Sequence, residues 1–518
     1  MTIMEQNALK KKRFTNVIWI YLAVYFALNA LMLDRFPFMH SDESWLSGLT
    51  REMAVSGLDA TEPFFDLLPR HPHAIKTLYH LMQMLFIGVF GYSLFAVRLL
   101  SLVFGTASLY LVYRIARLLS GSVIKALFIT VLLSLDVQFL YASHFARQDI
   151  IITFVMLAVI DYLLRHAGAW SWKRDIAVGV ITGLSIGIHP NSLMVALCAG
   201  ALYLYHIVYG QMKLRNLLTL IGVVAGCAAV FVGISLAFDG QFFTHYMQYG
   251  ETLGVGLSFV DKIKTFPLYF EKLFLRVSGT YYTPPIQLQL IVFAIAVAGA
   301  ILYAWKERTV LRLLLPLIAV SAGFILIGRY SQPGVILFFP LGYLLVFALL
   351  DALPKRWRYL PGAVLGAAVI AVSAWSIIPS IHNDYDAYLG EIRAAIPADA
   401  KVLANVNAEY AFDNGRLLDY RNLEYLEQSG LTFSEYISSR DIEYILYPEE
   451  MDFIYARRPV WNILYGNLYP YYDDMQRFLS EDCTAIASFT SPYAMRITRY
   501  RDDQDWTVTV YRVERDES

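Results

Sequence analysis

Cysteine is almost missing from this chain: three in 518 residues, with Cys198 and Cys227 inside apolar runs and Cys483 alone near the end. That excludes a disulfide framework and any CxxC metal site. Charge is scarce as well, at 16% of residues against 57% hydrophobic, and the hydrophobic residues collect in long runs instead of scattered core positions. Such a balance marks a polytopic α-helical membrane protein. There is no phosphate-binding glycine loop. The first apolar run, "FTNVIWIYLAVYFALNALML", follows "KKKR" and is too long for a signal-peptide core, and no A-x-A cleavage site follows it. It reads as a retained first helix, with Lys10 to Arg13 holding its start in the cytoplasm.

What charge there is sits unevenly. Residues 381–518 carry 25 Asp and Glu against 13 Lys and Arg, leaving 18 against 29 in the first 380. The chain therefore divides into a basic membrane part, 1–380, and an acidic, more polar tail, 381–518. Basic clusters at Arg114/Arg117/Lys125, Arg165/Lys173/Arg174, Lys213/Arg215, Lys306/Arg308/Arg312 and Lys355/Arg356/Arg358 recur after every second apolar run. Short cytoplasmic loops are enriched in Lys and Arg. With these clusters inside, the outer side receives a first loop over 34–93, the turns near 143–149, 188–192 and 328–334, the loop 239–283, and the tail. About eleven crossings result, provided that 74–113 crosses only once. The aromatic loop 239–283 predicts short interfacial helices. In the tail, alternating "KVLANV", "IEYILYP" and "DWTVTVYRV" among helix-like segments predicts a small extracytoplasmic α/β domain.

Ionisable residues near membrane depth are costly, which makes those on one side candidates for function. The outer side collects Asp42, Glu43, Arg51, His71, His73, Lys76, Arg147, Asp149, His189, His245 and Arg329. In "HSDESWLSGLTREM" Asp42 and Glu43 are adjacent, and helical neighbours point about 100° apart. One can face a cavity while the other orients backbone or a cation; alternatively, Ser41 or Asp42 caps the helix. "LPRHPHAIK" places His71, His73 and Lys76 ahead of an apolar helix, suited to a phosphate. The two histidines alone are a weak metal pattern. Arg147 can give a bidentate fork to phosphate, with Asp149 holding it or capping the next helix.

These elements, in order, are "DE" after the first helix, "REM" eight residues on, "HP", "FGYSLFAVRLLS", "ARQD" opening a helix and "GVITGLSIGIHP". Together they resemble the GT-C-fold glycosyltransferases of the protein O-mannosyltransferase and aminoarabinose transferase superfamily. The resemblance covers residues 14–200, with a fainter echo in "GRYSQPGVILFFPLGYLL". It implies a single sugar moved, with inversion, from a polyprenyl-phosphate donor to a glycan, lipid or protein acceptor at the outer face of a bacterial inner membrane. It implies Asp42 as general base with Glu43 as companion, and Arg147 on the lipid phosphate. Lys76, His71, His73 and Arg329 are the further phosphate candidates, with Asp149 supporting. "RHPHAIK" departs from the family's usual Lys or His followed by two prolines. No cofactor and no nucleic acid are expected. A flippase would also need outer cations, but no inverted repeat is visible. A ligase using a diphosphate carrier would not be expected to carry the early Asp-Glu pair.

Overall fold

In lipid every backbone N–H and C=O has to be satisfied within its own segment, so apolar runs become helices. The computed structural model describes residues 3–166, 171–252, 255–277, 279–494, 496 and 506–514, with side chains omitted for 3–15, 252 and 355–358. Five helices are long and apolar enough to cross a bilayer: Leu94–Ser120, Leu214–Phe238, Arg308–Ile327, Gln332–Ala352 and Tyr359–Ala395. A sixth arises if Val123–Ser134 and Val137–His144, bent by 67°, form one span. The expectation of about eleven crossings therefore rests on shorter apolar helices such as Ser192–Val208 and Gln287–Tyr303. Thr77–Phe90, with 14 residues, is about 21 Å long and short of the roughly 30 Å core, whereas Leu94–Ser120 exceeds it. The helix Leu214–Phe238 exposes Leu218, Ile221, Val230 and Ile234, a surface suited to lipid and not to water.

Two local devices shape the bundle. Gly179 and Gly183, four residues apart on Trp172–Leu184, meet Leu214–Phe238 so closely that an added Cβ would stand 2.7 Å from Val223 and 2.5 Å from Cys227. This is the small-residue spacing that lets membrane helices approach. At the 67° bend, buried Asp136 caps Val137–His144 through the N–H groups of Gln138 and Phe139, and also accepts from Gln289 and Tyr343. A carboxylate so deep persists because all four donors are aimed at it.

The loop 239–283 forms two helices, Phe242–Thr252 and Phe259–Phe274. The tail builds a five-stranded sheet from β1 (Val402–Ala404), β2 (Leu417–Asp419), β3 (Tyr444–Pro448), β4 (Cys483–Ser491) and β5 (Trp506–Val513), in the order β2-β1-β3-β5-β4. The first three are mutually parallel, and β5 runs antiparallel to β3 and β4. Strands β1, β3 and β5 fall in the segments expected. The sheet does not stand apart from the first outer loop: Phe38, Phe64, Phe65 and Val97 share one apolar core with Val402, Leu417, Leu446 and Val510. Polar contacts reinforce it. Tyr410 meets Ser47 at 2.8 Å, Asn422 donates to the Phe64 carbonyl at 2.8 Å, and Arg51 donates to the Phe412 carbonyl at 2.9 Å while pairing with the wholly buried Glu409.

Removing Arg51 would strand the Glu409 carboxyl. Arg51→Ala is expected to weaken attachment of the tail by about 3 kcal/mol, the cost of breaking a buried pair. Faster limited proteolysis between the last membrane helix and the sheet would report it.

Candidate active site

The first outer loop enters the helix Ser41–Ser56 through a capping box whose N-cap is His40, ahead of both candidates read from the sequence, Ser41 and Asp42. Its Nδ1 accepts from the Asp42 N–H at 3.0 Å, and its own N–H donates to Glu43 Oε2 at 3.0 Å. The two carboxylates then part. Glu43 is fully buried and receives Arg98 Nε at 2.7 Å, Arg98 Nη2 at 2.6 Å and the Ala146 N–H at 3.0 Å. Both its oxygens are committed to a cation and backbone, and it does not line the cavity, so its place is that of a positioning residue. Asp42, 23% exposed, faces the open space instead. Its Oδ2 accepts from Arg147 Nη1 at 2.8 Å and from the Tyr281 hydroxyl at 2.7 Å, and Arg147 Nη1 also donates to Tyr281 at 2.5 Å.

Around Asp42 opens a cavity of about 670 Å³, lined among others by His71, His73, Lys76, Arg147, His189, His245 and Arg329. Eight ionisable residues collected from the sequence, Asp42 included, thus meet in one space. Asp149 and Arg51 stay out of its lining. Asp149 opens the helix Asp149–Arg165, with Oδ2 3.6 Å from Arg147 Nε, and backs that guanidinium from behind. The volume falls within the range of small-molecule sites.

The wall also carries Arg70 and the carboxylates of Glu62, Asp239 and Glu424. Burial would raise the Asp42 carboxyl, but Arg147 above all, then His40, Tyr281 and Arg329, hold it well below the ordinary range. Asp42 is therefore ionised at any working pH. Burial, then Arg329 and Arg147, push Lys76 down to about 8. Among the described residues neither Lys76 nor Arg329 has a carboxylate in salt-bridge distance. Lys76 moreover sits at φ 90°, ψ −5° ahead of Thr77–Phe90, a left-handed conformation that costs a residue with a Cβ of order 1–3 kcal/mol and collects at functional sites. Burial and then Lys76 push His73 down to about 4, so at neutral pH its ring is uncharged. His71 lies at the exposed edge, its ring stacked on His245 at 3.4 Å.

Sequence reasoning did not single out Arg98 or Tyr281. Arg98 looks like one more basic residue in an apolar run, and Tyr281 is one of two tyrosines in "GTYYTPP"; only contacts across the fold distinguish them. The tail adds Glu424 and Tyr425 to the cavity wall.

Two outcomes follow from this geometry. Glu43→Gln leaves Arg98 as a buried cation without its counter-charge, so it should lose about 3–5 kcal/mol of stability, read as a lower unfolding midpoint. Asp42→Asn should lower that midpoint less, because Asp149 remains 3.6 Å from Arg147 as a counter-charge. The second outcome concerns pH. As pH rises through about 8, Lys76 in the free protein loses its proton, so affinity for a phosphate-bearing ligand should fall above that pH, and Lys76→Arg should remove the fall.

Residues 71–236 match the family model described as dolichyl-phosphate-mannose-protein mannosyltransferase. No curated protein matches by sequence. Among solved structures, ArnT from Cupriavidus metallidurans bound to undecaprenyl phosphate matches with TM-score 0.57 at 15% identity, over 96% of this chain and 98% of that one. Its apo state gives 0.59 at 14% identity with the same coverage. The archaeal oligosaccharyltransferase AglB from Archaeoglobus fulgidus, in complex with an inhibitory peptide and a dolichol-phosphate, gives 0.55 at 13% identity, over 87% of this chain and 71% of that one. At such identities the likeness establishes the fold. The chain is a polytopic membrane protein of GT-C fold, similar over residues 71–236 to the protein mannosyltransferase family model and over nearly its whole length to ArnT in architecture.

Proposed function

We propose that this chain is an inverting glycosyltransferase that takes one sugar from a polyprenyl-phosphate donor and passes it to an acceptor hydroxyl at the outer face of a bacterial inner membrane. The carrying observation is the ionised carboxylate of Asp42, held by Arg147 in a cavity that Lys76 and Arg329 also line, neither of which has a carboxylate in salt-bridge distance among the described residues. The lipid phosphates named in the ArnT and AglB structures are the kind of anion such a cavity suits.

The step is one displacement. Asp42 takes the acceptor proton as the acceptor oxygen bonds to the anomeric carbon from the face opposite the phosphate, which inverts that carbon. The bond from that carbon to the phosphate oxygen breaks, and the electron pair leaves with polyprenyl phosphate. Charge develops on the leaving phosphate, so fixed cations assist more than an acid would. Arg147 couples the two ends. Its Nη1 donates to Asp42 and Tyr281; when a phosphate takes that guanidinium, Asp42 loses its strongest cationic support and becomes a better base. The N-terminus lies in the cytoplasm and the tail outside in this reading, which puts Asp42 and the tail on the same side.

Purified protein supplied with a labelled polyprenyl-phosphate sugar and an acceptor extract should release free polyprenyl phosphate. Asp42→Asn, folded as wild type, should slow release by about 10²–10⁴-fold, the usual contribution of a general base. Release at the wild-type rate would remove Asp42 from that role. Movement of intact donor across vesicles without its consumption would make the chain a transporter.

A further inference from the structure

One residue of the cavity wall has no part in the transfer step. His189, 7% exposed, lies in the turn "IHPNS" between the helices Trp172–Leu184 and Ser192–Val208. Its backbone is held on both sides: its N–H donates to the Ser185 carbonyl at 3.2 Å, and its own carbonyl accepts from the Ser192 N–H at 2.9 Å. The ring is held as well, because Nδ1 accepts from the Asn191 N–H at 3.1 Å. A backbone N–H can only donate, so Nδ1 carries no proton and the proton of the neutral ring is on Nε2. That Nε2–H has no partner among the described residues, and His189 lines the cavity together with Lys76, Arg147 and Arg329.

We propose that His189, on the reading of this cavity as a lipid-phosphate transferase site, binds the donor by giving its Nε2–H to an oxygen of the phosphate. The turn keeps the ring neutral. A second proton would have to go on Nδ1, where it would confront the Asn191 N–H and break the turn. Burial first, then Lys76, Arg147 and Arg329, press the same way and hold the imidazole well below its ordinary range.

A neutral donor does what a fourth cation could not. It adds a directed hydrogen bond to the phosphate without adding repulsion among the cations already there. A buried donor without an acceptor is costly, and that cost lapses when an acceptor arrives. The bond also strengthens as negative charge grows on the leaving phosphate. The local sequence shows a histidine before a proline; only the fold sets its free nitrogen among three cations.

The two ends of the ring can be tested apart. An asparagine amide reaches about as far as Nδ1 and a glutamine amide about as far as Nε2, so His189→Asn keeps an acceptor for the Asn191 N–H while His189→Gln keeps a donor for the ligand. Full-length protein in detergent is titrated with farnesyl phosphate, and with farnesol as the uncharged control. Wild type should bind farnesyl phosphate far more tightly than farnesol. His189→Asn, with an unfolding temperature near wild type, should bind farnesyl phosphate about tenfold or more weakly, the scale of a hydrogen bond to a charged group, with farnesol unaffected. His189→Gln should recover most of that loss even where its unfolding temperature is lower. A residue that merely held its turn would leave His189→Asn like wild type and give no rescue by His189→Gln; either result would overturn the proposal. Wild type that does not distinguish farnesyl phosphate from farnesol would instead remove the lipid-phosphate reading itself.

Discussion

Arg98 has no exposed surface, and its guanidinium is the point on which the outer end of the bundle is assembled. Two of its nitrogens hold both oxygens of Glu43, and the third donates to the carbonyls of Leu33 and Pro37. Glu43 in turn receives the His40 and Ala146 N–H groups. One buried pair thereby joins the end of the first helix, the start of Ser41–Ser56, the helix Leu94–Ser120 and the turn before Asp149. Burying two charges is costly in isolation; here every oxygen of the acid and four hydrogen bonds of the base are used, the condition under which such a pair persists. Asp42 and Arg147 are the immediate chain neighbours of Glu43 and Ala146. Their 2.8 Å contact is therefore set by the clamp beneath them.

Above the clamp, three separate parts of the chain close over the same carboxylate. The first outer loop brings Lys76 in a strained conformation, the loop 239–283 brings Tyr281, and the tail brings Glu424 and Tyr425. Because the tail shares an apolar core with the first outer loop, it acts as a wall of the cavity and cannot be treated as an appendage. The closeness of Asp42 to Arg147, and of Arg147 and Arg329 to Lys76, makes each of these charges depend on the others. Arg147 lowers the Asp42 carboxyl, and the same Arg147, with Arg329, depresses Lys76. A phosphate entering such a space would relieve repulsion among the cations and free the carboxylate at once.

Much of this was legible beforehand, and for definite reasons. Apolar run length reports helices because lipid leaves the backbone no other solution. The outer-side collection of ionisable residues was found because charge is expensive near a bilayer, and eight of those residues do line one cavity. Strands β1, β3 and β5 showed through their alternation. The short β2 and the largely exposed β4 carry too few patterned residues to stand out.

The division of labour between Asp42 and Glu43 marks the boundary of what sequence can do. Helical geometry requires that two adjacent carboxylates diverge, and that much follows from the chain alone. Which of them faces the cavity depends on where Arg98 lies, and Arg98 is 55 residues away. The same holds for Tyr281 on Asp42 and for Asp239 and His245 beside His71. Local sequence determined the elements, their apolar faces and the inventory of charged groups, since these depend on neighbours within a turn or a strand. Tertiary structure alone decided which charges are paired and which are left free, because pairing is a matter of distance in space between segments that the sequence holds far apart.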